Sequence, residues 1–145
     1  MSNLRLKHDL RSHADAVEFV GGRQTKVLGH NTLCEVSGDG SIIRYHGNLI
    51  AEFSGRGRDA VLGGKVFTWN SVLSSAGWNT VTTARRLHML MPRHMVGRFG
   101  VGITRGVMVL RDFETGREHE FKHLYIGENG VVVRDDCDSV ERISL

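Results

Sequence analysis

The sequence predicts a single α+β domain over residues 1–145: a mainly antiparallel, bent sheet or small barrel, one central short helix, and room for a second helix near the N-terminus. Three observations predict it. Eighteen glycines and one proline punctuate short β-rich runs along most of the chain, as in strands joined by tight turns. Apolar residues recur at a clear helical spacing only around residues 82–91. The chain has 145 residues, and one domain of roughly that length buries about two-thirds of its unfolded surface, enough for one core.

The elements follow in order. A short amphipathic helix fits Asp9 to Val17, with Ser2 or Asn3 as earlier caps. "QTKVLG", "TLCEV", "SIIRYH" and "LIAEF" are strand-length runs. "SGDGS" reads as a turn in which Gly38 and Gly40 supply positive φ and Asp39 bonds locally. For "HGN" the preferred reading is a three-residue loop, His46-Gly47-Asn48, because Ile43, Tyr45, Leu49, Ala51 and Phe53 then share one face. "SGRGRD" (54–59) is expected as a flexible basic loop. "KVFTWNSVL" is a strand with Phe67, Trp69, Ser71 and Leu73 on one face, ended by "SSAG". The central helix has Thr82 as its expected N-cap, the stripe Ala84, Leu87, Leu90 and Met91, and Pro92 as its stop. "VGRFGVGI", "GVMVLRDF", "EHEFKHLYI", "GVVVRD" and "SVERISL" are further strands, with "FETGRE" and "GENG" as turns.

Composition bounds the function classes. At 40% hydrophobic and 24% charged residues, the chain resembles soluble globular proteins. No apolar run approaches the ~20 residues of a membrane helix. "MSNLRLKHDLRSH" lacks the apolar core of a secretory signal, so a cytoplasmic location and no membrane partner are expected. Cys34 and Cys137 stand in no paired or histidine-flanked pattern and are expected as reduced, partly buried thiols.

Charge is distributed unevenly. Residues 60–111 hold seven Lys/Arg and no acid, whereas residues 112–145 hold four Lys/Arg and nine Asp/Glu. The fold decides whether the basic block forms one patch or pairs with the acids that follow it.

Chemistry-bearing motifs are few. His119 and His123 are four apart in what reads as one strand, but no second ligand pair accompanies them, and structural zinc needs four ligands. They are expected as surface histidines among Glu118, Glu120 and Lys122. His88 and His94 bracket Pro92 without an evident partner. No nucleophile-elbow spacing is present, and the glycine patterns "GRFGVG" and "GRGRDAVLGG" lack the strand-to-helix context of a phosphate cradle. The expectation is a non-enzymatic protein with no cofactor and no metal.

Nucleic-acid binding is the sharpest positive reading. Arginine forks hold phosphate oxygens in pairs, and phosphate neutralisation supplies most sequence-independent affinity. The expected contacts are Arg56 and Arg58 in the glycine-rich loop, Arg85 and Arg86 on the solvent side of the helix, and Arg93, Arg98 and Arg105. Trp69 and Trp78 are expected in the core, with base stacking as the alternative. A protein-binding inhibitor of a host or defence enzyme is the rival function, and a minor virion component a third.

The residues His46, Gly47, Asn48, Ile50 and Phe53, followed by Gly77, Trp78, Thr80, Thr82, Thr83, Arg86 and Leu87, resemble the pattern of a family of small bacteriophage-encoded proteins of unknown function. The resemblance implies a phage gene product acting inside the infected cell, in the host cytoplasm. It carries no activity and no functional residues. Its motif reads as a folding signature: a hairpin turn needing Gly47 and Asn48, Trp78 as a core plug where a strand meets the helix, and Thr82 or Thr83 as the helix cap.

Overall fold

A computed structural model describes residues 8–145. The predicted caps Ser2 and Asn3 lie outside the described residues. Helix α1 spans His13–Val20 and is followed by β1 (Thr25–Gly29), β2 (Thr32–Ser37), β3 (Gly40–Tyr45), β4 (Asn48–Leu62) and β5 (Lys65–Ser74). Helix α2 (Val81–Leu90) and a 3-10 turn (Arg93–Met95) lead into β6 (Phe99–Thr104), β7 (Val107–Asp112), β8 (Glu118–Glu120), β9 (His123–Ile126), β10 (Gly130–Arg134) and β11 (Val140–Ser144).

The strands form an eight-stranded sheet, β1-β2-β3-β4-β5-β9-β10-β11, and a three-stranded sheet, β6-β7-β8. All strand pairs within them are antiparallel. β1 and β11 do not pair with each other, so the large sheet stays open and no barrel closes. Against these strands the two helices are short, and the architecture is mostly β rather than the predicted α+β.

The N-terminal helix exists but starts later than predicted. Ser12 caps it by accepting from the Asp15 backbone N–H, and Gly21 ends it in the left-handed conformation, donating to the Val17 carbonyl. Ala16 and Val20 face the core.

Two of the predicted turns are tighter than the sequence reading. Tyr45 pairs directly with Asn48, and His46 and Gly47 both have positive φ, so the turn is a two-residue hairpin loop of the I′ kind. A bulge then restores the apolar face: Ile43 opposes Ala51 while Arg44 opposes Leu49. Ile50 is thereby buried and Leu49 exposed, a pattern that strict alternation misses. In "SGDGS" only Gly38 takes positive φ, and Gly40 already belongs to β3.

"SGRGRD" is not a loop. It continues β4, which runs fifteen residues. The register against β5 jumps from Phe53–Ser71 to Arg58–Trp69, so residues 54–57 form a long bulge with Gly57 at φ 82°. "EHEFKHLYI" is two strands. His119 belongs to β8 in the small sheet and His123 to β9 in the large one.

A single continuous apolar cluster holds the layers together. The large sheet contributes Leu28, Ile43, Phe53, Leu73, Leu124 and Val131; α2 contributes Ala84, Leu87 and Leu90; the small sheet contributes Phe99, Met108 and Leu110. Helix α2 therefore packs against both sheets, β6 of the small one and β4 and β5 of the large one.

Candidate binding groove

The ends of α2 are set by local chemistry. Thr80, not Thr82, is the N-cap: its hydroxyl accepts from the Thr83 backbone N–H at 3.2 Å. Met91 leaves the helical region ahead of Pro92. Two contacts then lay the helix along the β6–β7 hairpin. The Met108 backbone N–H donates to Asn79 Oδ1 at 3.3 Å, and the Val101 N–H donates to His88 Nδ1 at 3.4 Å. The second bond fixes His88 as the Nε2–H tautomer. Burial, followed by the Arg11 charge, lowers the His88 pKa from its ordinary value.

Between helix and hairpin runs a groove of about 530 Å³. Val81, Arg85, His88 and Met89 form the helix wall. On the other side Gly100 and Gly102 form a floor without side chains, so the Phe113 ring lies against Gly100 and the Arg111 guanidinium across Gly102. Phe113 is 64% exposed and Val81 54%. Among the described residues no carboxylate lines the groove, and the first turn of α2 holds no acid to offset its dipole.

The arginines expected to bind nucleic acid separate into distinct neighbourhoods. Arg86, predicted to face solvent, is fully buried. Arg56 and Arg58 lie within β4 and pair with Asp39 (3.8 Å) and Glu52 (3.1 Å). Arg93 pairs with Asp15 of α1 at 2.8 Å. Arg98 binds both carboxylate oxygens of buried Asp112, pairs with Glu114, and donates to the Ser144 carbonyl. The Arg98 hydrogen bonds hold the Asp112 carboxyl below its ordinary pKa. Arg85 and Arg105 are exposed and make no ion pair with a described residue. Of the predicted set, then, only Arg85 lines the groove.

Arg111, not singled out in the sequence, is the groove's second guanidinium. It donates to Glu118 (2.8 Å), the Ile103 carbonyl (3.0 Å) and Thr104 (3.1 Å). Phe113 was equally hidden, since it follows the last paired residue of a strand and gives no periodic signal. Glycines two apart in "GVG" were the one available sign of an open strand face.

The histidines fill other roles. His119 is buried and its Nδ1 lies 3.0 Å from Glu141, so it is not the surface histidine expected. His94 bonds the Gly127 carbonyl. Among the described residues no cluster of three or more His, Cys, Asp or Glu is placed to hold a metal ion. Cys34 and Cys137 are both free; Cys34 is buried, with its thiol pushed up to about 11, and Cys137 is exposed. Among the described residues no helix is long and apolar enough to cross a membrane.

An open antiparallel sheet, with a second small sheet and a helix walling a donor-rich groove, defines a small, mostly β protein. The chain belongs to the Kyanoviridae Gp96 protein family, a phage family whose model matches residues 13–132. That span runs from α1 into β10 and includes the whole groove. No curated protein and no solved structure matches the chain.

Proposed function

We propose that the protein is a non-enzymatic phage accessory factor that binds a protein of the infected cell through the groove between α2 and β6. The observation that carries this reading is the composition of that groove: exposed apolar groups and two guanidinium groups, that of Arg111 paired with Glu118, and no carboxylate among the described lining residues. Interfaces concentrate aromatic residues and arginine in this way.

A nucleic-acid strand asks for something different. Its affinity grows with the number of cations along one backbone track. Here Arg86 is enclosed, Arg98 is committed to a buried carboxylate, and Arg56, Arg58 and Arg93 stand beside separate acids. Exposed ion pairs are weak and exchange readily, so dispersal, more than pairing, argues against one phosphate track.

The test is a pull-down from nuclease-treated host lysate with the wild-type chain and with Arg85→Glu and Phe113→Ala. The expected result is a stoichiometric protein band retained by the wild type and lost by both variants. A band that both variants retain removes the groove from the interface. A lysate without such a band, together with oligonucleotide binding whose salt slope falls in Arg85→Ala and Arg105→Ala, gives the surface to nucleic acid instead.

A further inference from the structure

Resting on that reading of the groove, we infer that its occupant is an acidic segment carrying an apolar side chain beside a carboxylate, and that Glu118 is the resident carboxylate this segment displaces from Arg111. The groove already displays one half of the recognition. Glu118 Oε2 accepts from Arg111 Nε at 2.8 Å and from Thr104 Oγ1 at 2.9 Å. Both side chains of the ion pair are more than a third exposed, at 38% and 39%. A pair so open to water contributes little and is readily exchanged.

Arg111 does not depend on Glu118 for its position. Its Nη2 also donates to the Ile103 carbonyl and to Thr104 Oγ1, and the guanidinium lies across Gly102, where any Cβ would collide with it. The cation stays in place when Glu118 swings away, so an incoming carboxylate meets a preorganised donor. Across the groove Arg85 makes no ion pair with a described residue. His88 also lines the groove and, with Nδ1 engaged by the Val101 N–H, carries its ring proton on Nε2. Apart from Glu118, which the incoming carboxylate replaces on Arg111, the described residues lining the groove offer donors and no carboxylate, which selects an acidic ligand over a basic one. The Phe113 ring over Gly100, with Met89 also lining the groove, offers an apolar surface to such a side chain.

The experiment is fluorescence anisotropy on the full chain with a labelled peptide of alternating glutamate and phenylalanine, its glutamine counterpart, and an oligothymidylate of similar length. Melting curves verify that each variant is folded. The glutamate peptide should bind at least about tenfold more tightly than the glutamine peptide. Arg85→Ala should weaken it, and Glu118→Gln should tighten it about fivefold by removing the competing carboxylate. Equal binding of both peptides, or of neither, overturns the acidic occupant, while a groove-dependent band in the pull-down would still stand. An unchanged or weaker affinity in Glu118→Gln overturns the displacement. Preference for the oligothymidylate with the same dependence on Arg85 overturns the inference in favour of a polyanion.

Discussion

The Arg86 guanidinium lies over the Tyr45 ring, its central carbon 4.4 Å from the ring centroid. The arginine is fully buried and the tyrosine 8% exposed. Arg86 Nε donates to Thr32 Oγ1 at 3.0 Å, and Nη2 to the His30 carbonyl at 3.1 Å. One side chain of α2 therefore ties together the β1–β2 turn and the end of β3. On the outer side of Tyr45, Trp78 meets its ring edge-on and stacks with His46. The two separated stretches that carry the phage-family resemblance, around His46 and around Trp78 and Arg86, meet at this point.

Replacement of Arg86 should destabilise the fold rather than a ligand site. Arg86→Leu leaves the Thr32 hydroxyl oxygen without the Arg86 donor, leaves the His30 carbonyl with the Thr32 hydroxyl alone, and removes the stacked cation, at a cost of roughly 2–4 kcal/mol. Arg86→Lys should recover less than half of that, since an ammonium has no planar fork to stack on Tyr45 while reaching two acceptors. Arg85→Ala, one position away and exposed, should stay within about 0.5 kcal/mol of wild type. Urea unfolding measures all three, and an Arg86→Leu variant as stable as Arg85→Ala would remove the staple from the account.

The two tryptophans should report different surroundings. Trp69 is 6% exposed and Trp78 37%, so Trp78 forms an aromatic rim, not the core plug expected. In Trp78→Phe the remaining indole should emit at short wavelength and resist acrylamide. In Trp69→Phe it should emit further to the red and quench readily. Similar quenching constants in the two variants would contradict this placement.

The strands and turns were legible because glycine chemistry and apolar runs act locally. Phe67, Trp69, Ser71 and Leu73 do share a face, with Trp69, Ser71 and Leu73 buried, and Ala84, Leu87, Leu90 and Met91 are all buried. What escaped were features that depend on two elements at once. The bulge at Ile50 exists because β4 must present both Ile50 and Ala51 inward. Helix α2 buries a wider face than its stripe suggests because β6 and the hairpin turns cover it from two sides, and that second cover encloses Arg86. The candidate groove was the least visible: Arg85, Arg111 and Phe113 come together only when β6 and β7 pair, and nothing in their spacing announces it.

Acid should weaken the fold in two steps. Burial lowers the pKa of His88 and of His123 below 6.5, the Arg11 charge adding to the first and the Arg134 and Lys122 charges to the second. In the unfolded chain both imidazoles take up a proton near their ordinary value, while the folded chain resists it. The unfolded state then binds more protons, so stability falls as pH drops from about 6.5 toward the lower folded values. Above that range both histidines are neutral in either state and contribute no slope. Asp112 and Glu118 act in a separate window. Hydrogen bonds from Arg98 and from Arg111 lower their pKa values, so their stabilisation is present above the ordinary carboxylate range and is lost as pH falls through and below it. Urea midpoints taken between pH 8 and pH 3 should fall first near neutrality and again in the carboxylate range. The double variant His88→Asn, His123→Asn should lose the first step and keep the second. A wild-type stability that stays level or rises between pH 7 and pH 5 would mean that these imidazoles are as free to protonate in the folded chain as in the unfolded one.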